Sequence, residues 1–491
     1  MQLNDKDLLA VQEVRELVEK AKAAQEELSQ KSQAEVDAIV KSIAYAGVRN
    51  AKRLAKLAHE ETGFGIEADK VIKNIFGSRD VYEHIKDMKT IGELGYDEEK
   101  KVRTIAVPVG EIAGLNPSTN PTSTAFYKSE ISIKAGNAIV FSPHPNARNC
   151  ILEAVKVIRQ AIAEAGGNEN LVSCITIPTI QATDNLMKHP DVALILATGG
   201  SAMVRAAYSS GTPAIGVGPG NGPAYIEKTA DLPLAVKRIM DSKTFDNGTI
   251  CASEQSVVCD KDMEDAVRAE MEKQGAYFLT DEQVSKLGKF ILRANGTMNP
   301  MIVGKSAQVI ADLAGIDIPA GTKVLVAKET GIGRGHPYSN EKLAPILAFY
   351  TADDYKEICK LVQDILHYEG AGHTFSMHTK DPEMVNYFAM RVPASRIIVN
   401  TPSALGGIGG TTGLMPALTL GCGAIGGSAT SENVGPMNLL NKRHVAEGLL
   451  ELDEIKAGLP TCTDGMCSGP KAEDVDIDAV VNEIVKRLRS M

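Results

Sequence analysis

Apolar positions Leu8, Val11, Val14, Leu17, Val18 and Ala21 recur three and four apart in a background rich in lysine and glutamate, which predicts an amphipathic first helix. Helix-rich sequence continues to about residue 88, and then the period changes. A β-rich stretch at 102–109 precedes short apolar runs at 138–141, 171–177, 192–197 and 214–217, separated by helical patterns at 149–165, 181–189 and 202–210. Strands alternating with helices predict an open parallel sheet of Rossmann type. A second alternating region covers about 223–416, with strands at 255–259, 323–327 and 397–400 and helices at 262–274, 281–295, 305–314 and 354–367. Two α/β units in series predict a ligand cleft between them.

Composition narrows the function classes. A chain of 491 residues, 44% hydrophobic and 23% charged, is long enough for two or three domains with their own cores. The formal net charge of −10, with no lysine- or arginine-rich block, argues against a nucleic-acid partner. No apolar run approaches the roughly 20 residues of a membrane span, and the N-terminus lacks a signal-peptide core. A cytoplasmic protein without a membrane partner is expected. The 8 cysteines follow no disulfide-framework spacing, so reduced thiols are expected.

Candidate chemistry centres on Cys251, in a polar turn between a helical pattern and the strand pattern at 255–259. A thiol that attacks a carbonyl needs exposure, a lowered pKa and hydrogen-bond donors for the developing oxyanion, and a loop with free N–H groups can supply the last two. Set against this, most cysteines are only small buried hydrophobes. Gly421-x-Gly423-x-x-Gly426 matches a dinucleotide fingerprint literally but leads into a Ser/Thr/Asn stretch without βαβ context, so it reads as a turn. Thr198-Gly199-Gly200 is the better phosphate site, because it follows a strand pattern and opens a helix pattern. His367, His373 and His378 have no carboxylate or cysteine at metal-ligand spacing, so no metal is expected.

The stretch Phe245-Asp246-Asn247-Gly248-Thr249-Ile250-Cys251-Ala252-Ser253-Glu254-Gln255-Ser256-Val257 resembles the active-site segment of the CoA-acylating aldehyde dehydrogenases, including the aldehyde dehydrogenase half of bifunctional aldehyde-alcohol dehydrogenases. Further segments carry the resemblance in the same order from about Val14 to about Gly448. They include Asp69-Lys70-Val71-Ile72-Lys73-Asn74, Pro117-Ser118-Thr119-Asn120-Pro121, Phe141-Ser142-Pro143-His144-Pro145, Glu341-Lys342-Leu343, Gly372-His373-Thr374 and Ser431-Glu432-Asn433-Val434-Gly435-Pro436. The resemblance implies an α/β aldehyde dehydrogenase-like fold. It would comprise an NAD/CoA-binding domain at 1–222 with an oligomerisation hairpin near 92–110, a catalytic domain at 223–416, and a return to the cofactor domain with an oligomerisation strand at 417–448. It also implies a homodimer or tetramer, a small aldehyde as substrate, and NAD and coenzyme A in turn.

Residue roles follow from the same resemblance. Cys251 is the nucleophile, and its own N–H and the Asn120 amide hold the oxyanion; an ungapped register places Thr119 at the family's asparagine instead. His373 either assists deprotonation of the CoA thiol or is a structural histidine. The cofactor is expected against Ser142, Pro143, His144, Thr198, Gly199, Gly200, Gly218 and Leu343, with Glu341 on the nicotinamide ribose. One departure decides the chemistry. Hydrolytic aldehyde dehydrogenases carry a glutamate that activates water, and in register that position is Val217, which cannot take a proton. The acyl acceptor is then coenzyme A. A hydrolytic dehydrogenase or a thiolase-like acyltransferase are the alternatives. The former would form acid without CoA, and the latter would form no NADH.

Residues 449–491 lie beyond the resemblance. The stretch 449–475 has linker composition, with a single weak cysteine pair, Cys462 and Cys467. Within 476–491, Ile477, Val480, Val481, Ile484, Val485 and Leu488 recur at helical spacing, which predicts a short amphipathic helix. It either folds back on its own subunit or docks on a partner. It looks like the encapsulation peptides that carry such enzymes into bacterial microcompartments, with shell proteins as the partner.

Overall fold

The computed structural model describes residues 5–293 and 296–457. Helix Lys6–Leu28 starts where the Asp5 carboxylate accepts the Asp7 and Leu8 N–H groups at 2.9 Å, and it buries the stripe Ala10, Val14, Val18 and Ala21 that the spacing predicts. Helix Gln33–Thr62 opens on a reciprocal Ser32/Glu35 cap and stops at Gly63 in the left-handed region. A short helix, Glu67–Ile75, follows.

In chain order the strands are β1 (Gly92–Asp97), β2 (Val102–Pro108), β3 (Glu111–Asn116), β4 (Ala138–Pro143), β5 (Val172–Cys174), β6 (Val192–Thr198), β7 (Ala214–Val217), β8 (Gly222–Ile226), β9 (Glu254–Asp260), β10 (Ala276–Phe278), β11 (Val324–Lys328), β12 (Ile346–Ala352), β13 (Gly372–His378), β14 (Ala394–Val399) and β15 (Leu440–Ala446). Two parallel sheets dominate. One has order β5-β4-β3-β6-β7, and the other β10-β11-β12-β9-β8-β13-β14. In the first, the chain runs outward from β3 to β5 and then returns to the other side of β3 with β6. The carboxyl ends of β3 and β6 therefore diverge at a topological switch point, where open α/β sheets bind ligands.

Strands β3, β4, β9 and β13, inside the two sheets, are continuously buried rather than alternating. Helix Pro121–Lys134, between β3 and β4, is buried along its whole length. Its Lys128 ammonium reaches the carbonyls of Leu115 and Leu196 at 2.7 and 2.9 Å, and burial pulls its pKa well below the usual lysine range.

The chain divides into two compact units, and β3 to β14 all lie in the larger one, Met1–Gly92 with Ala106–Lys442. The smaller, Glu93–Ile105 with Arg443 onward, holds most of a three-stranded sheet of order β1-β2-β15. Nearly every residue of β1 and β15 is exposed, and side-chain contacts such as Arg103 to Glu93 at 3.2 Å and Thr104 to His444 at 3.2 Å lie at the surface. No helix among the described residues is long and apolar enough to cross a membrane. The expected tail helix at 476–491, most of the linker at 449–475, and the pair Cys462 and Cys467 lie outside the described residues.

Candidate active site

Carboxyl ends of β3, β4, β6 and β7 meet the turn that leads into the amino end of β9 around a cavity of about 500 Å³. The sheet ends supply backbone. Thr198, Gly199 and Gly200 follow β6 and open helix Ser201–Ser209, Gly218 follows β7, and His144 follows β4; all five line the cavity. A Cβ on Gly200 or Gly218 would meet nothing within 4 Å, so chain at both points faces open space. Free N–H groups at a helix N-terminus bordering open space fit the pyrophosphate of a dinucleotide.

Of the other residues expected at the cofactor, Leu343 and Glu341 also line the cavity, whereas Ser142 and Pro143 do not. Ser142 is buried at the end of β4, its hydroxyl 2.7 Å from that of Thr183, and Pro143 pairs in register with Asn116. Leu343 has φ of +45°, a conformation leucine rarely adopts, and backbone strain of this kind concentrates at functional sites. Glu341 Oε1 accepts the Gly220 N–H at 2.9 Å; burial, and then the neighbouring Glu369, push its carboxyl up to about 8.

The wall that carries Cys251 is built differently. Asp246, Asn247 and Gly248 take three consecutive left-handed conformations, with φ of +49°, +53° and +76°, just before Cys251. Aspartate, asparagine and glycine are the residue types that tolerate this region best. Cys251 is partly exposed on the cavity. Burial, with help from Glu341 and Cys422, pushes its thiol up to about 12, and the Arg396 guanidinium pulls the other way. Cys251 therefore rests as a thiol. The Cys251 carbonyl packs so closely on Gly220 that a Cβ there would lie 2.1 Å from it.

Asn120 ends the loop after β3 and lines the cavity beside Thr119 and Thr249. Its Oδ1 accepts from Lys73 Nζ at 2.7 Å, and its Nδ2 donates to Thr249 O and Thr119 Oγ1, both at 3.2 Å. Behind it, Asp246 takes Lys73 Nζ at 2.5 Å and Lys70 Nζ at 3.0 Å on Oδ2, and the Ile66 N–H at 2.6 Å on Oδ1. Burial pushes the Asp246 carboxyl up, but the two ammoniums outweigh it and hold the group below the ordinary aspartate value. Gly65 makes room for this carboxylate, since a Cβ there would sit 1.9 Å from Asp246 Oδ1.

His373 lies on β13, fully buried, and is not on the cavity wall. It packs against Gly220, with Nδ1 2.9 Å from Thr374 Oγ1 and no partner on Nε2 among the described residues. Burial and Arg396 keep it neutral. Val217 is on the cavity wall. Sequence reasoning did not reach the apolar lining residues Phe64, Met298, Ile408 and Leu418, or the cation Arg293 at the same cavity. Nor did it give roles to Lys73, Asp246 and Arg396.

A dinucleotide-type crevice facing a cysteine at the end of a left-handed turn is the layout of a cysteine-dependent dehydrogenase. Residues 7–411 match the aldehyde dehydrogenase family, and the chain belongs to it. The bifunctional aldehyde-alcohol dehydrogenase AdhE of Escherichia coli K12 is 46% identical over 442 residues, covering 89% of this chain and 50% of that protein. The chain thus spans about half the length of the curated relatives it first matches.

Among solved structures, a Listeria monocytogenes EGD-e protein described as a probable aldehyde dehydrogenase is 64% identical, with TM-score 0.91 over 92% of this chain and 100% of that one. An acetylating aldehyde dehydrogenase from Geobacillus thermoglucosidasius is 51% identical, with TM-score 0.90 over 92% and 99%. At 28% identity and TM-score 0.80, covering 88% of this chain and 97% of each neighbour, lie two propionaldehyde dehydrogenases. One comes from the fucose utilisation microcompartment of Clostridium phytofermentans, and the other, from Rhodopseudomonas palustris, was solved with bound CoA and an acylated cysteine.

Proposed function

We propose that this chain is a CoA-acylating aldehyde dehydrogenase that converts a small aldehyde, NAD and coenzyme A to acyl-CoA and NADH through an acyl-Cys251 thioester. The observation that carries the reading is that, among the described residues lining the cavity, no ionised carboxylate is placed to activate water. Val217 stands where a hydrolytic enzyme has its glutamate, and the one carboxyl on the wall, Glu341, is protonated at neutral pH with its pKa up at about 8 and bonds to Gly220 N–H. Relatives described as acetylating, and the neighbour solved with CoA and an acylated cysteine, support the same acceptor.

In this mechanism the Cys251 Sγ–H gives its proton to solvent and sulfur bonds to the aldehyde carbon, the carbonyl π pair moving onto oxygen. The Cys251 N–H and the Asn120 Nδ2 hold the oxygen as it gains charge. NAD, when bound at Thr198–Gly200 and Glu341, supplies the acceptor for the hydride that leaves that carbon. The CoA thiolate then attacks the thioester carbon and Cys251 sulfur departs, taking up a proton. His373, neutral and behind Gly220, is a proton acceptor held next to the Cys251 backbone rather than on the cavity wall.

The exposed three-stranded sheet buries too little to be stable alone, which supports its covering by a second copy in a homodimer or tetramer. The predicted amphipathic tail and the microcompartment neighbour support docking on a shell protein.

Stopped-flow absorbance tests the chemistry. With aldehyde and NAD but no CoA, a burst of NADH near one equivalent per Cys251 followed by slow turnover is expected, and CoA should make turnover sustained. Rapid CoA-independent acid formation would overturn the acylating reading. The chain cut after residue 457 should keep this kinetics and lose co-localisation with shell proteins; loss of activity instead would assign the tail to the catalytic assembly.

A further inference from the structure

Helix Glu67–Ile75 turns its polar side inward. Lys70, Lys73 and Asn74 are 3%, 2% and 1% exposed, while Ile72 on the opposite side is 51% exposed. A helix built for stability alone would do the reverse, because desolvating ammonium groups and pairing them with a carboxylate seldom gains anything over apolar packing. Local rules broken in this way point to function. Asn74 has a structural task, with Nδ2 donating to Ala51 O at 3.0 Å and Oδ1 accepting from Thr122 at 2.7 Å.

Lys73 is different, since its three protons go to Asp246 Oδ2 at 2.5 Å, Asn120 Oδ1 at 2.7 Å and Thr249 Oγ1 at 3.0 Å. Asn120 and Thr249 are both on the cavity wall beside Cys251. A carboxamide has nearly the same shape either way round, yet its two ends are opposite in charge. Turned one way it offers N–H donors to a developing oxyanion, and turned the other way it repels it. An ammonium donates only, so Lys73, whose pKa burial brings down to about 8, favours while charged the orientation with Oδ1 facing it, the one that the Nδ2 contact to the Thr249 carbonyl also selects.

We propose that Lys73, anchored by Asp246, is a positioning residue for the acylation step: its ammonium keeps Oδ1 of Asn120 turned away from the cavity, so that the NH2, which rests on Thr249 O and Thr119 Oγ1, is the end available to the substrate oxygen, and it ties the turn before Cys251 through Thr249. This rests on the function proposed above, in which Asn120 is the oxyanion donor. Asp246 binds Lys73 and Lys70 together, so removing Lys73 leaves the carboxylate paired while the amide keeps only the two 3.2 Å contacts of its Nδ2, to Thr249 O and Thr119 Oγ1.

The test is a cycle of full-chain variants, Lys73→Met, Lys73→Gln, Asn120→Ala and the two Lys73/Asn120 doubles. The measurements are the NADH burst rate without CoA, NAD affinity by fluorescence quenching, and thermal midpoint. Lys73→Met is expected to slow the burst about 100-fold, the size of losing one oxyanion donor, with NAD affinity unchanged. Lys73→Gln, whose amide can still donate to Asn120 Oδ1, should recover about tenfold of that loss.

In the Asn120→Ala background Lys73→Met should cost less than about 3-fold, because the group it orients is gone. Losses that multiply in the double variant, equal loss in Lys73→Met and Lys73→Gln, or an unchanged burst in Lys73→Met would each overturn the proposal. If Lys73→Met fails to fold, the Lys73→Gln and Lys73→Gln/Asn120→Ala pair decides by the same comparison. A wild-type chain that forms no NADH from any aldehyde would instead overturn the function, and this role with it; an active wild type with multiplicative losses would remove only the role of Lys73.

Discussion

The two walls of the cavity are made by opposite means. The cofactor wall is backbone with open space beside Gly200 and Gly218, and no ion pair stiffens it among the described residues. The nucleophile wall stands on a buried cluster of two lysines and one aspartate, with Asn120, Thr249 and the three left-handed residues tied to it. The difference follows from what each wall must do. On the function proposed here, one has to admit NAD and then coenzyme A, which fits a surface of backbone with open space beside it. The other has to keep one sulfur and one amide at fixed distance from one carbonyl, and rigidity there costs nothing in versatility.

That contrast can be broken most severely at the sulfur. Cys251→Ala should abolish the NADH burst, a loss on the order of 10⁴-fold or more, while NAD still binds to the untouched backbone wall. Comparable loss on replacing Cys150 or Cys422 would mean that the nucleophile is misassigned. A smaller effect is expected at the cofactor wall. Gly200→Val puts two methyl groups into the space left for ligand, so KM for NAD and for CoA should both rise about tenfold, near 1.4 kcal/mol, with the burst rate at saturating NAD little changed. A change in KM for only one of the two would show that they do not share this surface.

The gentlest probe is pH. Because Cys251 is pushed up to about 12, its thiolate fraction lies far below one across the neutral range and should climb tenfold per unit from pH 7 to 9. Alkylation by iodoacetamide should follow that slope without levelling, whereas an ordinary cysteine flattens near pH 8.5. Levelling below pH 9 would show that the folded site activates the thiol before substrate arrives.

Much of the fold was legible because periodicity is strong where elements are amphipathic. The run at 214–217 coincides with β7, and the helical patterns at 149–165 and 202–210 fall within a residue of helices Arg148–Glu164 and Ser201–Ser209. Strands β3, β8, β12 and β13 gave no signal. They are buried on both faces and so lack alternation, and β13 carries His373, Thr374, Ser376 and His378 in its interior, which reads as loop. Helix 281–295 was expected four residues too long at its end, since the helix stops at Ile291.

At the site, Cys251 stood out through its turn chemistry. Cys251, Asn120, Thr198–Gly200, Gly218, Glu341 and Leu343 share one cavity. Lys73 and Asp246 could not be linked in advance, because 173 positions separate them and only the fold brings them together. The one local hint was the pair of lysines three apart on the same side of a short helix as Asn74.

That separation also governs when the molecule can work. The turn at 246–248 takes its left-handed path against Lys73, Lys70 and the Ile66 N–H, groups made early in synthesis, while the cysteine that depends on them is made much later. Pairings across so long a span assemble late, after the loop-closure entropy has been met by other contacts. Recovery of the NADH burst in a refolding experiment therefore reports completion of the larger unit rather than formation of any local piece. A chain with only its helices in place would carry an ordinary cysteine, able to add to an aldehyde but with no bound cofactor beside it to take the hydride.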